Sequence, residues 1–232
     1  MKKKVAVCGP RDISKKDLIN CRNLGSKLMF NLGPGWELIT GGASGASGEV
    51  VANCYAGDHR KKIAYVPFSN KREYDAFTKL WEKRCEELNY DSYNEVWKKK
   101  TTGEAVEEYP VCPFHERSFY DKIVYTPRIK TTGSLEGDIR KKAMQRIEPM
   151  IRASNSVVGF INPQTGNTWK EMELATRLCI PTALLVPKRY SSDREIRRNI
   201  DRLNGDSTGE FGVYQNPEAV AEFLREFYRG GN

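Results

Sequence analysis

Four glycines fall within the eight residues Gly41-Gly42-Ala43-Ser44-Gly45-Ala46-Ser47-Gly48, directly after the apolar end Ile39-Thr40 of one run and directly before Glu49-Val50-Val51. This is the pattern of a strand that turns through a glycine-rich loop into a helix, and its chemistry is anion binding. Glycine accepts positive φ and lets the backbone come close to a phosphate, while the unpaired N–H groups and positive dipole end of the following helix favour negative charge. A strand-to-helix turn that binds nothing needs fewer glycines, so a phosphorylated small molecule is the first ligand class to consider.

A second stretch, Pro163-Gln164-Thr165-Gly166-Asn167-Thr168-Trp169-Lys170-Glu171, also follows an apolar run and opens a helix. If both loops lie on the same rim of a sheet, a nucleotide can rest its phosphate on the first and extend its sugar to Asn167 and Thr168 on the second. Glu171 would then be offered to a ribose hydroxyl or to a water. Thr168-x-x-Glu171 is equally a capping box, in which Thr168 caps the helix and Glu171 reaches back to it, and the two roles are compatible. Glu173, two residues on, points to the opposite side of the same helix. Arg11 follows Gly9-Pro10 just after the first strand, where its guanidinium offers a bidentate fork beside the glycine-rich loop. Arg146 sits near Ala143 and Met150 on a helix with an apolar face, so it projects toward the crevice or snorkels at the surface.

The elements that must position these residues alternate. Lys4 to Val7, Trp36 to Ile39 and Lys62 to Val66 read as strands. Between them run a helix with Leu18, Leu24, Leu28 and Met29 on its apolar face and a second helix from Glu49 to Gly57. The β-α-β-α-β rhythm implies parallel strands, right-handed crossovers and a ligand crevice beyond the strands' carboxyl ends. The expected architecture is α/β, a Rossmann-like doubly wound, mainly parallel sheet formed by a single domain over 1–232.

The rhythm breaks between Pro67 and Lys130, a stretch rich in aromatic and charged residues. Tyr74, Phe77, Trp81, Cys85 and Leu88 recur at helical spacing, and Tyr90, Tyr93 and Trp97 extend the aromatic surface. This reads as a helical insertion after the third strand, packed on the sheet or at a dimer interface, with a lid that stacks on a base as the competing reading. Cys112-Pro113-Phe114-His115 offers two metal ligands, but the chain has only two histidines and no second ligand pair nearby, so no metal site is expected. Further on, Ser134 caps a helix from Leu135 to Arg152 whose last turn Pro149 should kink. Ser156 to Ile161 and Thr182 to Val186 are strands around a helix from Thr168 to Leu178. A helix from Asp193, a short strand Gly212 to Tyr214 and a closing amphipathic helix with Val220, Phe223, Leu224 and Phe227 complete the chain.

With 232 residues and 39% hydrophobic content the chain can bury a substantial core. Its formal charge of +8 suits a polyanion, yet between Lys71 and Lys100 eight basic residues are interspersed with seven acidic ones, which solvated helix faces explain about as well as a nucleic-acid groove does. Six cysteines without a Cys-x-x-Cys pair, with Cys8, Cys54 and Cys179 in core-like patterns, fit a reducing compartment. The stretch after Met1-Lys2-Lys3-Lys4 is too short for a signal-peptide core, and no apolar run could span a bilayer, so a cytoplasmic location is expected.

These segments, in this order, resemble the SLOG superfamily of Rossmann-like nucleotide-binding proteins, which includes the Lonely guy phosphoribohydrolases, the YpsA-like proteins and the DNA-processing protein A family. Gly9-Pro10-Arg11-Asp12 resembles the Gly-x-Arg-Asp start of YpsA-like members, and Gly41-Gly42-Ala43-Ser44-Gly45-Ala46 resembles their Gly-Gly-Ala-Arg-Gly-Ala loop. Arg146-x-x-x-Met150 with Ser154-Asn155 is similar to the family's Arg-x-x-x-Met followed by Ala-Asp. Thr168-x-x-Glu171 stands where the Pro-Gly-Gly-x-Gly-Thr-x-x-Glu signature ends. The resemblance implies that Arg146 and Glu171 cleave the N-glycosidic bond of a nucleoside 5′-monophosphate. The chain departs at Gln164, Thr165 and Asn167, which replace glycines, at Ser44, which replaces an arginine, and in the long insertion.

Three functions remain open at this level. One is hydrolysis of a nucleotide's base–sugar bond without metal or redox cofactor, with phosphate held by Gly9, Arg11, Gly41, Gly42, Ser44, Gly45, Ser47 and Gly48. Another is capture of a nucleotide-derived signal without catalysis, and the third is binding of single-stranded nucleic acid on stacking aromatics. Relatives of this type commonly form dimers, so a homo-oligomer is expected. A dinucleotide oxidoreductase fits poorly, because the glycine-rich loop follows the second strand rather than the first.

Overall fold

The computed structural model describes residues 3–32, 35–43, 45–54, 61–87, 96–99, 107–110, 119–127, 144–207 and 209–229. Seven strands form one sheet: β1 (Lys3–Cys8), β2 (Trp36–Thr40), β3 (Lys61–Val66), β6 (Lys122–Tyr125), β7 (Ser156–Phe160), β8 (Thr182–Leu185) and β9 (Phe211–Tyr214). Their order is β6-β3-β2-β1-β7-β8-β9, and every neighbouring pair is parallel. The chain winds one way from β1 and the other way from β7, so the reversal of winding lies between these two strands. In open α/β sheets the ligand crevice lies at such a reversal, beyond the carboxyl ends of the strands.

The central strands are buried along most of their length because helices cover both faces. On one face Val5, Val7, Leu38, Val158 and Phe160 pack against α1 (Lys15–Leu32), α2 (Ala46–Ala52) and α7 (Pro217–Arg229). On the other, Ala6, Cys8, Ile39, Val157 and Leu184 meet α4 (Ile147–Arg152), α5 (Asn167–Arg177) and α6 (Arg194–Asp206). Successive residues of each strand therefore serve opposite layers. No helix among the described residues is long and apolar enough to cross a membrane.

Among the described residues of the segment after the third strand, an α-helix stands at its start. The helix α3 (Lys71–Glu87) follows Phe68, which stacks on Tyr74 with ring centroids 4.7 Å apart, and both join Ala64, Val66 and Tyr120 in a small core. The aromatics described here thus pack on the sheet. The same segment then supplies β4 (Val96–Lys99) and β5 (Glu107–Pro110), an antiparallel pair containing Trp97, and β6, which extends the main sheet as an edge strand. The Asp121 carboxylate accepts the Lys62 N–H at 2.7 Å, and Thr126 Oγ1 donates to the Val66 carbonyl at 2.7 Å, fastening β6 beside β3. Leu88, Tyr90, Tyr93, Cys112, His115 and the start of the helix expected from Leu135 lie outside the described residues.

Other boundaries shift for local reasons. α2 begins at Ala46, three residues before the expected Glu49. The helix expected to run unbroken to Arg152 is interrupted at Arg146, and its last turn is regular, with the Ala153 N–H on the Pro149 carbonyl at 3.1 Å. Pro149 sits in the first turn of α4, where it has no N–H for the Gln145 carbonyl, so the break falls upstream of the proline rather than after it. Cys179, expected in the core, is exposed.

Candidate functional site

β1 ends at the reversal of winding, and its last residue and the glycine that follows face opposite layers. Cys8 faces the α4–α5 layer, in the buried cluster of Met150 and Met172, where burial and then the charge of Glu171 raise its pKa. Gly9 faces α2: a Cβ there would meet the Ala46 Cβ at 2.6 Å and lie 3.5 Å from the Ser47 nitrogen. One strand end therefore serves both halves of the crevice.

In the Cys8 half, Glu171 is 6% exposed on the first turns of α5. The capping box does not form. The N-cap of α5 is Gly166, with no side-chain bond, so Thr168 is a buried residue inside the helix and Glu171 is not drawn back to it. Burial raises the Glu171 pKa from its ordinary 4.5, opposed first by the charge of Arg146 and then by the nearby Cys8 thiol. Glu173 points the other way, as its spacing requires, and pairs with Arg202 on α6.

Arg146 is the cap residue of α4, held by a backbone bend rather than on a continuous helix. Its Nη1 donates to the Tyr65 carbonyl at the end of β3, 3.1 Å away, and its Nε is buried without a partner. Burial lowers its pKa from the ordinary guanidinium value, with Glu171, Cys8 and Tyr120 acting in the opposite direction. A Cβ at Gly41 would lie 1.5 Å from Nη1, so this glycine leaves room for the guanidinium. Arg146 is thus aimed into the crevice and is not a snorkelling surface charge.

In the Gly9 half, Gly42 and Gly45 take φ of 72° and 91°, the left-handed conformations that the glycine-rich turn was expected to need. Gly45 lies against Arg11, where a Cβ would be 2.3 Å from the Arg11 carbonyl oxygen. The Ala46 N–H, first in α2, is taken by the Pro10 carbonyl at 3.0 Å. The amide of Ser47 follows it, uncovered by the lack of a side chain at Gly9. Arg11 and Asn167 are exposed, Ser47 and Gly48 are buried within α2, and Ser44 lies outside the described residues.

A polar cluster that sequence patterns did not indicate ties the loops of this rim together. Asp17 is 1% exposed and accepts from Ser14 N and Oγ at 3.2 and 3.0 Å, from Tyr190 Oη at 3.1 Å and from Asn162 Nδ2 at 3.4 Å. It also pairs with Arg189. Asn162, just past β7, donates in addition to the Asp12 carbonyl at 3.0 Å, bridging the diverging β1 and β7 loops. The one local signal was Ser14-x-x-Asp17, an N-terminal cap pattern, with the Asp17 N–H returning to Ser14 Oγ at 3.2 Å.

The parallel sheet, its reversal of winding and the loops gathered there define a Rossmann-like α/β protein. No protein-family model and no curated protein matches the chain. Solved structures do match in fold. They include the molybdenum cofactor carrier protein of Chlamydomonas reinhardtii, at 15% identity over 99% of both chains with a TM-score of 0.56. The molybdenum cofactor binding protein of Rippkaea orientalis matches at 17% identity over 98% of both chains with a TM-score of 0.55. DNA processing protein A of Helicobacter pylori, described for its single-stranded DNA binding mode, matches at 15% identity over 97% of this chain and 81% of its own, with a TM-score of 0.56. DNA-processing protein A is also one of the groups the sequence motifs resemble. The Rossmann-like α/β fold that these structures share is the fold of this chain.

Proposed function

We propose that the chain binds a nucleotide across the carboxyl ends of β1, β2 and β7 and hydrolyses its N-glycosidic bond. The observation that carries this reading is the buried Glu171, released from helix capping and placed with Arg146 at the reversal of winding. A carboxyl raised by burial toward neutrality is suited to exchange a proton with a reacting water, and an arginine beside it can orient a charged or hydroxylated substrate. In this scheme Gly9, Arg11, Gly42, Gly45 and the Ser47 amide receive the phosphate, with Asn167 and Thr168 on the sugar side. As the C–N bond breaks, positive charge grows on the anomeric carbon and the ionised Glu171 offsets it. Glu171 takes the proton of the attacking water, and the base leaves after protonation from solvent.

The second reading is capture without chemistry. The matched structures favour it, since they are a cofactor carrier, a cofactor binder and a DNA-binding protein. Incubation with a panel of nucleoside monophosphates, reading free base by chromatography and Tm in the same samples, separates the two. Base release that Glu171→Gln abolishes supports hydrolysis. A ligand-dependent rise in Tm without free base supports capture. A complex that weakens steeply with salt points instead to a nucleic-acid partner.

A further inference from the structure

β1 and β7 run in register as far as Cys8 and Gly159 and then diverge into the two loops of the site. The side chain of Asn162, 3% exposed, crosses the gap between them. Its Nδ2 donates to the Asp12 carbonyl at 3.0 Å and to the Asp17 carboxylate at 3.4 Å, both on the β1 side. Asp17 is itself fixed there by Ser14 and by Arg189 and Tyr190, which follow β8. The other end of the amide works on its own loop. Asn162 Oδ1 accepts the Gln164 N–H at 2.9 Å and the Thr165 hydroxyl at 3.3 Å. The Asn162 N–H donates to Thr165 Oγ1 at 2.8 Å, and the Thr165 N–H returns to the Asn162 carbonyl at 3.0 Å. The result is a turn with asparagine at its first position and Pro163 at its second, residues that such turns favour, and it leads into Asn167 and Thr168.

We propose that Asn162 is a positioning residue that sets the spacing between the two halves of the site: one end of its amide fixes the turn before the sugar side, and the other anchors that turn to the loop of the phosphate side. The proposal rests on the reading of the crevice as a nucleotide site. A ligand held at two points gains from joint attachment only where the points stand at the right separation. Gly9 and Arg11 share the β1 loop with Asp12, whereas Asn167 and Thr168 continue from the turn that Asn162 begins. An apolar side chain of similar size would fill the same space and fix neither loop. The asparagine amide bonds to both, and its burial shields those bonds from competing water.

The test compares a ligand that needs both halves with one that needs a single half. Isothermal titration calorimetry of the parent, Asn162→Ala and Thr165→Val would use AMP, GMP, CMP and UMP as the first kind and inorganic phosphate as the second. In Asn162→Ala the Kd of the monophosphate that the parent binds should rise about tenfold or more, because a sugar side held out of register forfeits the gain of joint attachment. The Kd of inorganic phosphate should stay within about twofold of the parent's, since it has no second point of attachment to lose. Thr165→Val, at a half-buried position, removes the hydroxyl that joins the turn to Asn162 and should shift the monophosphate in the same direction. A bridge with a merely structural role would weaken both ligands in parallel, or neither, and either result overturns the proposal. If Asn162→Ala does not fold, Thr165→Val decides alone: an unchanged monophosphate Kd refutes the role. A parent that binds a monophosphate but not phosphate alone has no two grips to space, which also refutes it. A parent that binds none of the four monophosphates overturns the nucleotide reading itself, and the spacing role falls with it.

Discussion

The guanidinium of Arg146 occupies the space that a side chain at Gly41 would need: an ideal Cβ on Gly41 lies 1.5 Å from Nη1 and 2.4 Å from Cζ. The first glycine of the loop is thereby tied to the arginine of the other half. Gly41→Ala should eject Arg146 from its bond to the Tyr65 carbonyl while the fold survives, because the clashing atom is the far end of a flexible side chain. Reseating it off its present rotamer costs about 1 kcal/mol. The expected result is a Tm close to the parent's and loss of the nucleotide-dependent Tm rise, both read in one thermal-shift series.

The same substitution at Gly45 should behave in the opposite way. There the added Cβ meets the Arg11 backbone, at 2.3 Å from its carbonyl oxygen, and φ is 91°. Neither the chain nor the conformation can yield cheaply, so Gly45→Ala should lower stability by about 1–3 kcal/mol, measured by urea unfolding.

The strand–turn–helix rhythm and the glycine-rich loop were legible because each rests on a local pattern. Legibility failed where a distant element decided the outcome. Thr168-x-x-Glu171 has the spacing of a capping box, yet Gly166 takes the cap and Thr168 is buried inside the helix. Lys122 to Tyr125 is too short and too mixed to read as a strand, and becomes one because the edge of β3 is open to it. Asp17 gathers Asn162, Arg189 and Tyr190 from 145 to 173 residues away, a convergence that only the reversal of winding creates.

Glu171 predicts an inverted pH dependence. Its folded-state pKa lies above the ordinary 4.5, so the folded form holds the proton more tightly than the unfolded chain. The stability difference is absent below that ordinary value and works against folding as pH rises through the folded-state pKa. Glu171→Gln carries no such charge. Its Tm relative to the parent should therefore climb from acidic to neutral pH, by about 2–4 °C for each kcal/mol of relief, even as base release is lost. A difference that falls toward neutral pH would mean that Arg146 stabilises the ion more than burial opposes it.

Asp17→Ala should be among the most damaging single changes at the rim. It removes the acceptor for Ser14, Tyr190 and Asn162 and leaves the Arg189 guanidinium without its carboxylate. Breaking a largely buried ion pair that is also hydrogen-bonded costs about 3 kcal/mol. A double-mutant cycle with Arg189→Ala apportions that loss. Coupling well below the full cost would place most of it in the bonds to Ser14, Tyr190 and Asn162.

The end of α5 offers a stabilising change. The Ile180 N–H donates to the Ala175 carbonyl at 3.0 Å and the Cys179 N–H to that of Thr176 at 3.0 Å, the two bonds of a Schellman motif, with Cys179 in the left-handed position at φ 55°. Glycine usually fills that position because a Cβ there crowds the following carbonyl. Cys179 is exposed, so replacing it sacrifices little packing. Cys179→Gly should raise stability by about 1 kcal/mol, after the extra chain entropy of glycine in the unfolded state is set against the relieved strain. Cys179→Ala keeps the Cβ and should gain nothing, so urea unfolding of the pair distinguishes release of backbone strain from simple removal of a thiol.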